Sequence, residues 1–417
     1  MTADRPVLPP ASTALSPRGA WVLVGLMWVA YFLNYIDRQL VFSIFPILET
    51  ELKFTPTQLG LTGSVFLWVY ALCNPAAGML GDRFPRRTLI VGSLVAWSAI
   101  TALTGAAGSA ILLLACRGLM GVAEALFFPS ALTLTAHAHG PQSRSRAVAA
   151  FSTAQILGIV MGGWFGGFMG ERHQWRWAFF CLGIAGALYA LPYHLLLKRC
   201  PEPPPSPARG TTGAAFARIP SYLLLCVAFP CFTFVLWLLY TWLPDFFYGK
   251  FSLSLGEAGF ASTAFLQGGS VAGLLLGGVL ADRLRRRVPS ARFALVAAGL
   301  LLCAPGVHVV GNSGTLLATQ IGAASVGVGA GLAVANFFPS ALEVVPRSCH
   351  ATAVGVLNLL GGLVSGFAPL LAGALKKSVG LPALMTLAGG LCLLAAGLVA
   401  LGTRRWFADD AGRARDL

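Results

Sequence analysis

The chain has 417 residues, of which 56% are hydrophobic and 11% charged, against roughly 45–50% and ~25% for an ordinary soluble domain. So few charges cannot cover a water-facing surface, which excludes a soluble globular enzyme. The formal net charge of +14 comes from 29 Lys and Arg against 15 Asp and Glu. Most of these residues stand at the ends of apolar runs, where they read as the positive-inside bias of a membrane protein rather than as a nucleic-acid surface.

Residues 1–19 are polar and Pro-rich, lack the features of a signal peptide and are expected to form a disordered cytoplasmic N-terminus. Apolar runs then fall at about 20–47, 57–80, 88–109, 111–136, 146–169, 176–197, 221–246, 257–281, 292–311, 314–342, 350–375 and 381–403. Each suits a membrane-crossing helix of ~20 residues, and their unbroken apolar character excludes an alternating transmembrane β-barrel. The expected fold class is an all-α polytopic membrane protein with twelve transmembrane helices. Residues 198–220 contain PEPPPSP and read as a cytoplasmic linker between two six-helix halves, 20–197 and 221–403. Residues 404–417 form the C-terminal tail. An even number of spans puts both termini on one side. Loops on that side carry 21 Lys and Arg against 6 on the other, which predicts cytoplasmic termini. The nine cysteines are scattered without a CxxC and read as small core residues, with no metal site.

The two halves repeat. Gly78-Met79-Leu80-Gly81-Asp82-Arg83 follows the second run, and Gly278-Val279-Leu280-Ala281-Asp282-Arg283 follows the eighth. The hexapeptide Phe-Phe-Pro-Ser-Ala-Leu stands at 127–132 in the fourth run and again at 337–342 in the tenth. Corresponding spans differ by six, so the repeat keeps its orientation in the membrane, as expected of a rocking transporter.

These features resemble the major facilitator superfamily over all twelve spans. Its loop motif is similar to Gly78-Met79-Leu80-Gly81-Asp82-Arg83-Phe84-Pro85-Arg86-Arg87, with Pro85 in place of the usual Gly. The resemblance implies a cytoplasmic gate built on Asp82, Arg83, Asp282 and Arg283. Within the superfamily, Asn34-Tyr35-Ile36-Asp37-Arg38, the segment from Arg117 to Pro129, and Tyr240-Thr241-Trp242-Leu243-Pro244 resemble the anion:cation symporters, which carry sugar acids and other organic anions. Spinster-like lipid and lysolipid transporters share an Asp-Arg pair in the first span and an acid in the fourth, and are the nearest rival. By resemblance to the sugar-acid symporters, Tyr35, Arg38, Tyr70, Gln155 and Asn358 stand at substrate-contact positions.

Four ionisable residues lie well inside predicted spans: Asp37, Arg38, Arg117 and Glu124. Each costs about 2.5–3.5 kcal/mol at a helix centre on insertion scales, so they are expected to pair or to face a wet cavity. Arg117 and Glu124 are seven residues apart and share a helix face, as do Asn34 and Arg38. At the repeat offset, Arg117 maps to Gly327 and Glu124 to Val334. The second half therefore keeps the packing hexapeptide without the charges, which assigns them to chemistry rather than to folding. The expected roles are Arg38 for a substrate carboxylate, held by the planar guanidinium fork, Asp37 and Glu124 as proton carriers, and Arg117 as the switchable partner of Glu124. Glu343, near a span end, reads as an ordinary solvated head. Gly158, Gly162, Gly166 and Gly170, like Gly269, Gly273 and Gly277, recur every fourth residue, a spacing that suits a close-packed seam between the halves.

Other classes are weaker. Gly311-Asn312-Ser313-Gly314 matches a short intramembrane-protease motif but reads as a turn. His137 and His139 lack further metal ligands. There is no Walker motif for ATP, and charges confined to one half do not suit a channel ring. The sequence thus predicts a proton-coupled symporter of a small organic anion, monomeric, in the plasma membrane (the inner membrane of a bacterium), with protons as the coupling ion and no other cofactor.

Overall fold

The computed structural model describes residues 16–197, 218–346 and 349–416; residues 198–217 of the predicted linker and the side chain of Asp82 lie outside the described residues. Twelve helices among these are long and apolar enough to cross a membrane. Spans 1–6 are Pro17–Ser43, Pro56–Gly81, Arg86–Gly105, Ala110–His137, Gln142–Glu171 and Trp175–Leu197. Spans 7–12 are Pro220–Phe251, Leu255–Leu284, Ala291–Asn312, Leu316–Val344, Thr352–Leu375 and Leu381–Arg405. All twelve predicted runs are present, with shifted ends. Span 1 starts earlier than the apolar run because Ser16 caps it, accepting from the amide of Gly19, and Pro17 supplies the first helical residue. A short helix, Phe45–Glu51, extends span 1 past a turn at Ile44.

Two spans are broken by proline. Span 4 consists of helices Ala110–Ala125 and Phe127–His137, and span 11 of His350–Ser365 and Phe367–Leu375. Pro129 and Pro369 stand four residues beyond Ala125 and Ser365. A proline in that position clashes with the carbonyl of residue i−4 and removes the amide that would have bonded it. At the first break Ser93 of span 3 donates to the Ala123 carbonyl. The same hexapeptide in span 10 leaves the helix continuous.

Spans 1–6 pack mainly with one another, and so do spans 7–12. Span 1 lies on span 5, span 2 on span 4 and span 3 on span 6; span 8 lies on span 10, and span 9 on spans 10 and 12. The halves meet where span 5 crosses span 8 and span 2 crosses span 11. We call the face carrying the termini the terminal face and the opposite one the distal face. Leu370 donates its amide to Ser64 Oγ at 3.1 Å, Trp68 Nε1 to the Leu363 carbonyl at 3.0 Å, and Gly256 its amide to Glu171 Oε1 at 2.5 Å. These bonds run from mid-membrane to the distal ends of the four helices, so the halves are closed on the distal face.

Glycines make that closure possible, but not all of the predicted ones. Gly158, Gly162 and Gly166 face Tyr35, Ile36 and Leu40 of span 1, and Gly269 and Gly273 face Ala324 and Val328 of span 10. These stripes pack helices within each half. The seam is built from the next position around the helix. Gly163 and Gly259 stand backbone to backbone across spans 5 and 8, and Gly167 lies against the Leu255 carbonyl. Stepping one residue rotates the contact by about 100°, which turns the face from span 1 to span 8.

On the terminal face, Glu343 of span 10 is not a solvated head. Its carboxylate binds Arg285 of span 8 and Arg292 of span 9, each at 3.1 Å. Arg83, Asp282 and Arg283 are exposed there. The tail is ordered in part: helix Phe407–Asp416 sets Asp410 under the first turn of span 7, accepting the Ser221 amide at 3.0 Å, and packs Phe407 edge-on against Phe293.

A side chain at Gly259 collides with the Gly163 backbone, whereas one at Gly278 meets nothing within 4 Å. Gly259→Val should therefore pry the distal face open and raise the labelling rate of a cysteine placed at that seam several-fold. Gly278→Val should leave it unchanged. Equal labelling in the two variants would show that the Gly163–Gly259 contact does not hold the face shut.

Candidate functional site

Span 1 carries the site because helical geometry spreads five consecutive residues over two directions. Tyr35 and Arg38, three apart, turn toward spans 2 and 4, while Asp37, rotated by about 100° from Arg38, turns toward span 3. Arg38 is 7% exposed and Glu124 2%. Arg38 Nη2 lies 2.5 Å from Glu124 Oε2, and this is an ion pair between spans 1 and 4. Arg38 also donates to the Tyr35 hydroxyl at 3.3 Å and to Asn34 Oδ1 at 3.4 Å. Its guanidinium carbon lies 4.5 Å from the Tyr35 ring centre, 4.6 Å from that of Phe66 and 5.2 Å from that of Tyr70. Aromatic faces attract a cation and exclude water from it, so the charge is held without being neutralised by them.

Arg117 does not pair with Glu124. Seven residues separate them by about 10 Å along the helix axis, too far for a direct contact. Arg117 instead donates its Nε–H to the Thr62 carbonyl at 3.2 Å, with its own guanidinium carbon 4.9 Å from the centre of the Phe66 ring. Asp37 accepts from the Thr101 hydroxyl of span 3 at 3.0 Å. All four charges act on one another electrostatically, yet the single direct ion pair among them is Arg38–Glu124.

The cluster is under-satisfied. Asn34 Nδ2, Asp37 Oδ1, Arg38 Nε, Arg117 Nη2 and Glu124 Oε1 are all buried without a hydrogen-bond partner among the described residues. Buried polar atoms left open are uncommon, so each of these is free to bond a water, an ion or a group of a ligand. Gln155 joins the cluster one helical turn away. It accepts from the Tyr31 hydroxyl at 3.4 Å, and the Tyr31 ring stands edge-on to Tyr35 at 5.0 Å. Asn358 is exposed and donates to the Val354 carbonyl of its own helix, apart from the Arg38 cluster. Asn336 is spent on the Leu332 and Gly277 carbonyls and is a packing residue. Phe66 and Thr101 escaped the sequence reading. Phe66 is one aromatic among many in an apolar run, although its place four before Tyr70 puts both on one face. Thr101 is an isolated hydroxyl whose partner only the fold reveals.

One of the two counterpart positions in the second half closes up, while Val334, the counterpart of Glu124, is exposed. Gly327 stands where Arg117 stands in the repeat, and its Cα lies directly against the Leu266 backbone of span 8. Where the first half keeps room for a guanidinium, the second half is packed backbone to backbone. Among the described residues no group of His, Cys, Asp and Glu is arranged to hold a metal.

The sequence profile of the Major Facilitator Superfamily matches residues 27–254 and 225–406. The chain belongs to this superfamily of transporters and is not an enzyme. It is 28% identical to the probable galactarate/D-glucarate transporter of Bacillus subtilis over 91% of this chain and 90% of that one. It is 31% identical to protein spinster homolog 1 of Bos taurus over 74% of this chain and 64% of that one. Its fold matches the crystal structure of a bacterial homologue of the human lysosomal transporter Spinster, in an inward-facing and unoccupied conformation, with a TM-score of 0.81 and 22% identity over 95% of this chain and 99% of that one. Both families that the sequence resembles are thus among its relatives.

The Arg38–Glu124 pair predicts non-additive stability. Arg38→Met strands a buried carboxylate and should lower unfolding free energy by about 3–5 kcal/mol, and Glu124→Leu alone should do the same. Combining them should recover most of the loss. Denaturation in detergent micelles reads this, and additive losses would show that the two side chains are not an interacting unit.

Proposed function

We propose that the chain is a proton-coupled symporter of a small organic anion, working by alternating access with Arg38 as anion receptor and Glu124 as proton site. The observation that carries this is the buried Arg38–Glu124 pair, in which one guanidinium can serve either the protein's own carboxylate or that of a substrate. A guanidinium fork fits a carboxylate with two parallel bonds, so an arriving anion competes directly with Glu124 for Arg38. Once displaced, Glu124 is a buried carboxylate without its counter-charge, and taking up a proton removes that cost. Anion and proton therefore favour each other's binding, and by linkage the coupling is reciprocal. This replaces the expected Arg117–Glu124 switch with a single exchange at Arg38. Asp37, held by Thr101 and facing the same cluster, is the second titratable site, with Arg117 supplying the compensating charge.

Several observations support this reading. The aromatic faces of Tyr35, Phe66 and Tyr70 keep Arg38 dehydrated and aimed. The halves are closed on the distal face, one of the two end states an alternating-access carrier needs. A relative aligned over nine-tenths of the chain is described as a sugar-acid transporter. The positive-inside bias supports cytoplasmic termini; in this reading the described state faces inward, in the plasma membrane or the inner membrane of a bacterium. Asp82, Arg83, Asp282 and Arg283 form the cytoplasmic gate in this scheme.

Two variants test the mechanism in proteoliposomes. Arg38→Lys keeps the charge and loses the planar fork, so affinity for the transported anion should fall about tenfold or more while expression holds. Glu124→Gln mimics the protonated acid. Uphill uptake driven by a proton gradient should disappear, while exchange of labelled for unlabelled substrate persists. A Glu124→Gln protein that still concentrates substrate would remove Glu124 from coupling. A panel of sugar acids, dicarboxylates and lysolipids sets the substrate class, and transport of a lysolipid without competition from any anion would transfer the assignment to the lipid carriers.

A further inference from the structure

A cleft of about 560 Å³ opens between spans 5 and 8 at the distal end of the molecule, on the opposite side of span 5 from span 1. Its walls are apolar and come from both halves: Met161, Trp164 and Phe168 on span 5, and Phe260 on span 8. Trp164, Met161 and Phe260 are 38%, 37% and 48% exposed. In a membrane-crossing helix that exposure faces lipid. The volume falls in the range of about 300–1,000 Å³ typical of sites that take a small molecule.

Charges of both signs stand at the cleft: Glu171 and Glu257 line it, and Arg172 stands over the Phe168 ring of its wall. Trp164 and Phe168 stack with ring centres 5.1 Å apart, and the guanidinium of Arg172 lies 3.6 Å over the Phe168 ring, also donating to the Phe168 carbonyl at 3.2 Å. Residues 164, 168 and 172 thus form a ladder up one face of span 5, aromatic below and cationic at the top. Beside it stand two carboxylates. Glu171 accepts the amide of Gly256 across the seam, and Glu257 accepts the amide of Ser254 in a capping box at the start of span 8. Each spends one oxygen on an amide and keeps the other. Among the described residues none of Arg172, Glu171 and Glu257 enters an ion pair. A cation and two anions standing uncompensated at the membrane–water boundary, above an apolar slot, are complementary to a zwitterion that carries a tail.

We infer that this cleft is a binding site for a zwitterionic phospholipid with a primary-amine headgroup, of the phosphatidylethanolamine type. The phosphodiester meets Arg172, the ammonium donates to the free oxygens of Glu171 and Glu257, and one acyl chain lies between Trp164 and Phe260 with Met161 at its foot. A choline headgroup has no N–H to give the carboxylates, and a glycerol headgroup has no positive charge. Because the two walls belong to different halves, the site exists only while the distal face is closed. A lipid seated there binds one conformational state and stabilises it by mass action. This site lies apart from Arg38 and Glu124 and does not depend on which anion the carrier moves.

The test uses the purified full-length protein, delipidated in detergent and titrated with phosphatidylethanolamine, phosphatidylcholine and phosphatidylglycerol of one acyl composition. Retained lipid is read by native mass spectrometry and stability by thermal unfolding. Wild type should retain the ethanolamine lipid about tenfold better than either of the others, the factor one charge-assisted hydrogen bond supplies, with the largest rise in Tm. Glu171→Gln with Glu257→Gln keeps an acceptor for both helix-start amides and should abolish that preference without unfolding the protein. Arg172→Gln should weaken retention of all three lipids. Equal retention of the three by wild type, or a preference that survives the double substitution, would overturn the assignment. Since no step measures transport, the outcome is independent of the symport mechanism.

Discussion

Everything particular about this carrier follows from placing four charges where an apolar bundle disfavours them. An isolated arginine or glutamate at mid-membrane has no water to turn to, so its position is set by whatever partner lies within reach. Arg38 and Glu124 reach each other from different helices, and their 2.5 Å contact joins spans 1 and 4. The remaining two are placed by weaker means: Arg117 by one backbone carbonyl and an aromatic face, and Asp37 by one hydroxyl. A permanent structural bridge would be expected to satisfy its lone pairs. This cluster leaves polar atoms open on each of its four charged members, and a half-satisfied buried network is costly, so a water, ion or ligand group that completes it is favoured there.

The asymmetry between the halves has the same origin. Both descend from one repeat, visible in the paired hexapeptides and loop motifs. The proline of the hexapeptide breaks span 4 just past Glu124 but leaves span 10 whole. Where the first half holds Arg117, the second has Gly327 pressed onto the Leu266 backbone. The second half instead keeps its ion pairs toward the two faces: Glu343 ties spans 8, 9 and 10 together through Arg285 and Arg292 at the terminal face, and Asp245 of span 7 binds Lys376, just past span 11, at 2.7 Å toward the distal face. The first half buries four charges at its centre, and the second half has no charged residue at the two matching positions of span 10. Rocking as rigid bodies requires that each half be stiff within itself, and the glycine stripes facing span 1 and span 10 supply that stiffness by bringing backbones close.

Most of the architecture was readable from the chain because its physical signals are long. Twenty-residue apolar runs, a Pro-rich interruption and a two-fold repeat survive errors of several residues at each boundary. Charges in apolar runs were equally plain, so Asp37, Arg38, Arg117 and Glu124 stood out in the sequence, and the fold buries all four close to one another. Their pairing was not plain. Sharing a helix face at i and i+7 says that Arg117 and Glu124 point the same way, but not that they touch, and the partner of Glu124 comes from another helix. The glycine seam failed for a similar reason. Period four identifies a flat face, and two such faces lie side by side on span 5, one for span 1 and one for span 8. Which of them crosses between the halves is tertiary information. Asn336, Asn358 and Glu343 show the same limit: a polar residue in or beside a span declares that it has a partner, and only the fold says whether that partner is a backbone carbonyl, another side chain or a ligand.

Span 1 is where the charge cluster and the seam meet. Its residues 35 to 39 cover just over one turn. Tyr35 and Arg38 belong to the cluster, and Ile36 lies against Gly162 of span 5. Gln39 reaches across to the other half and donates to the Tyr240 carbonyl of span 7 at 3.1 Å. Gly163, beside Gly162, is the residue that abuts Gly259 in the seam. In the proposed exchange, a shift of Arg38 from Glu124 to another anion acts on the same helical turn that touches span 5 on one side and span 7 on the other. Packed interfaces of this density do not deform gradually; they hold one arrangement or change to another. The residue that holds the charge and the residue that reaches the other half, Arg38 and Gln39, are thus neighbours on one rigid turn, and Ile36 of that turn packs on the span that carries the seam glycine.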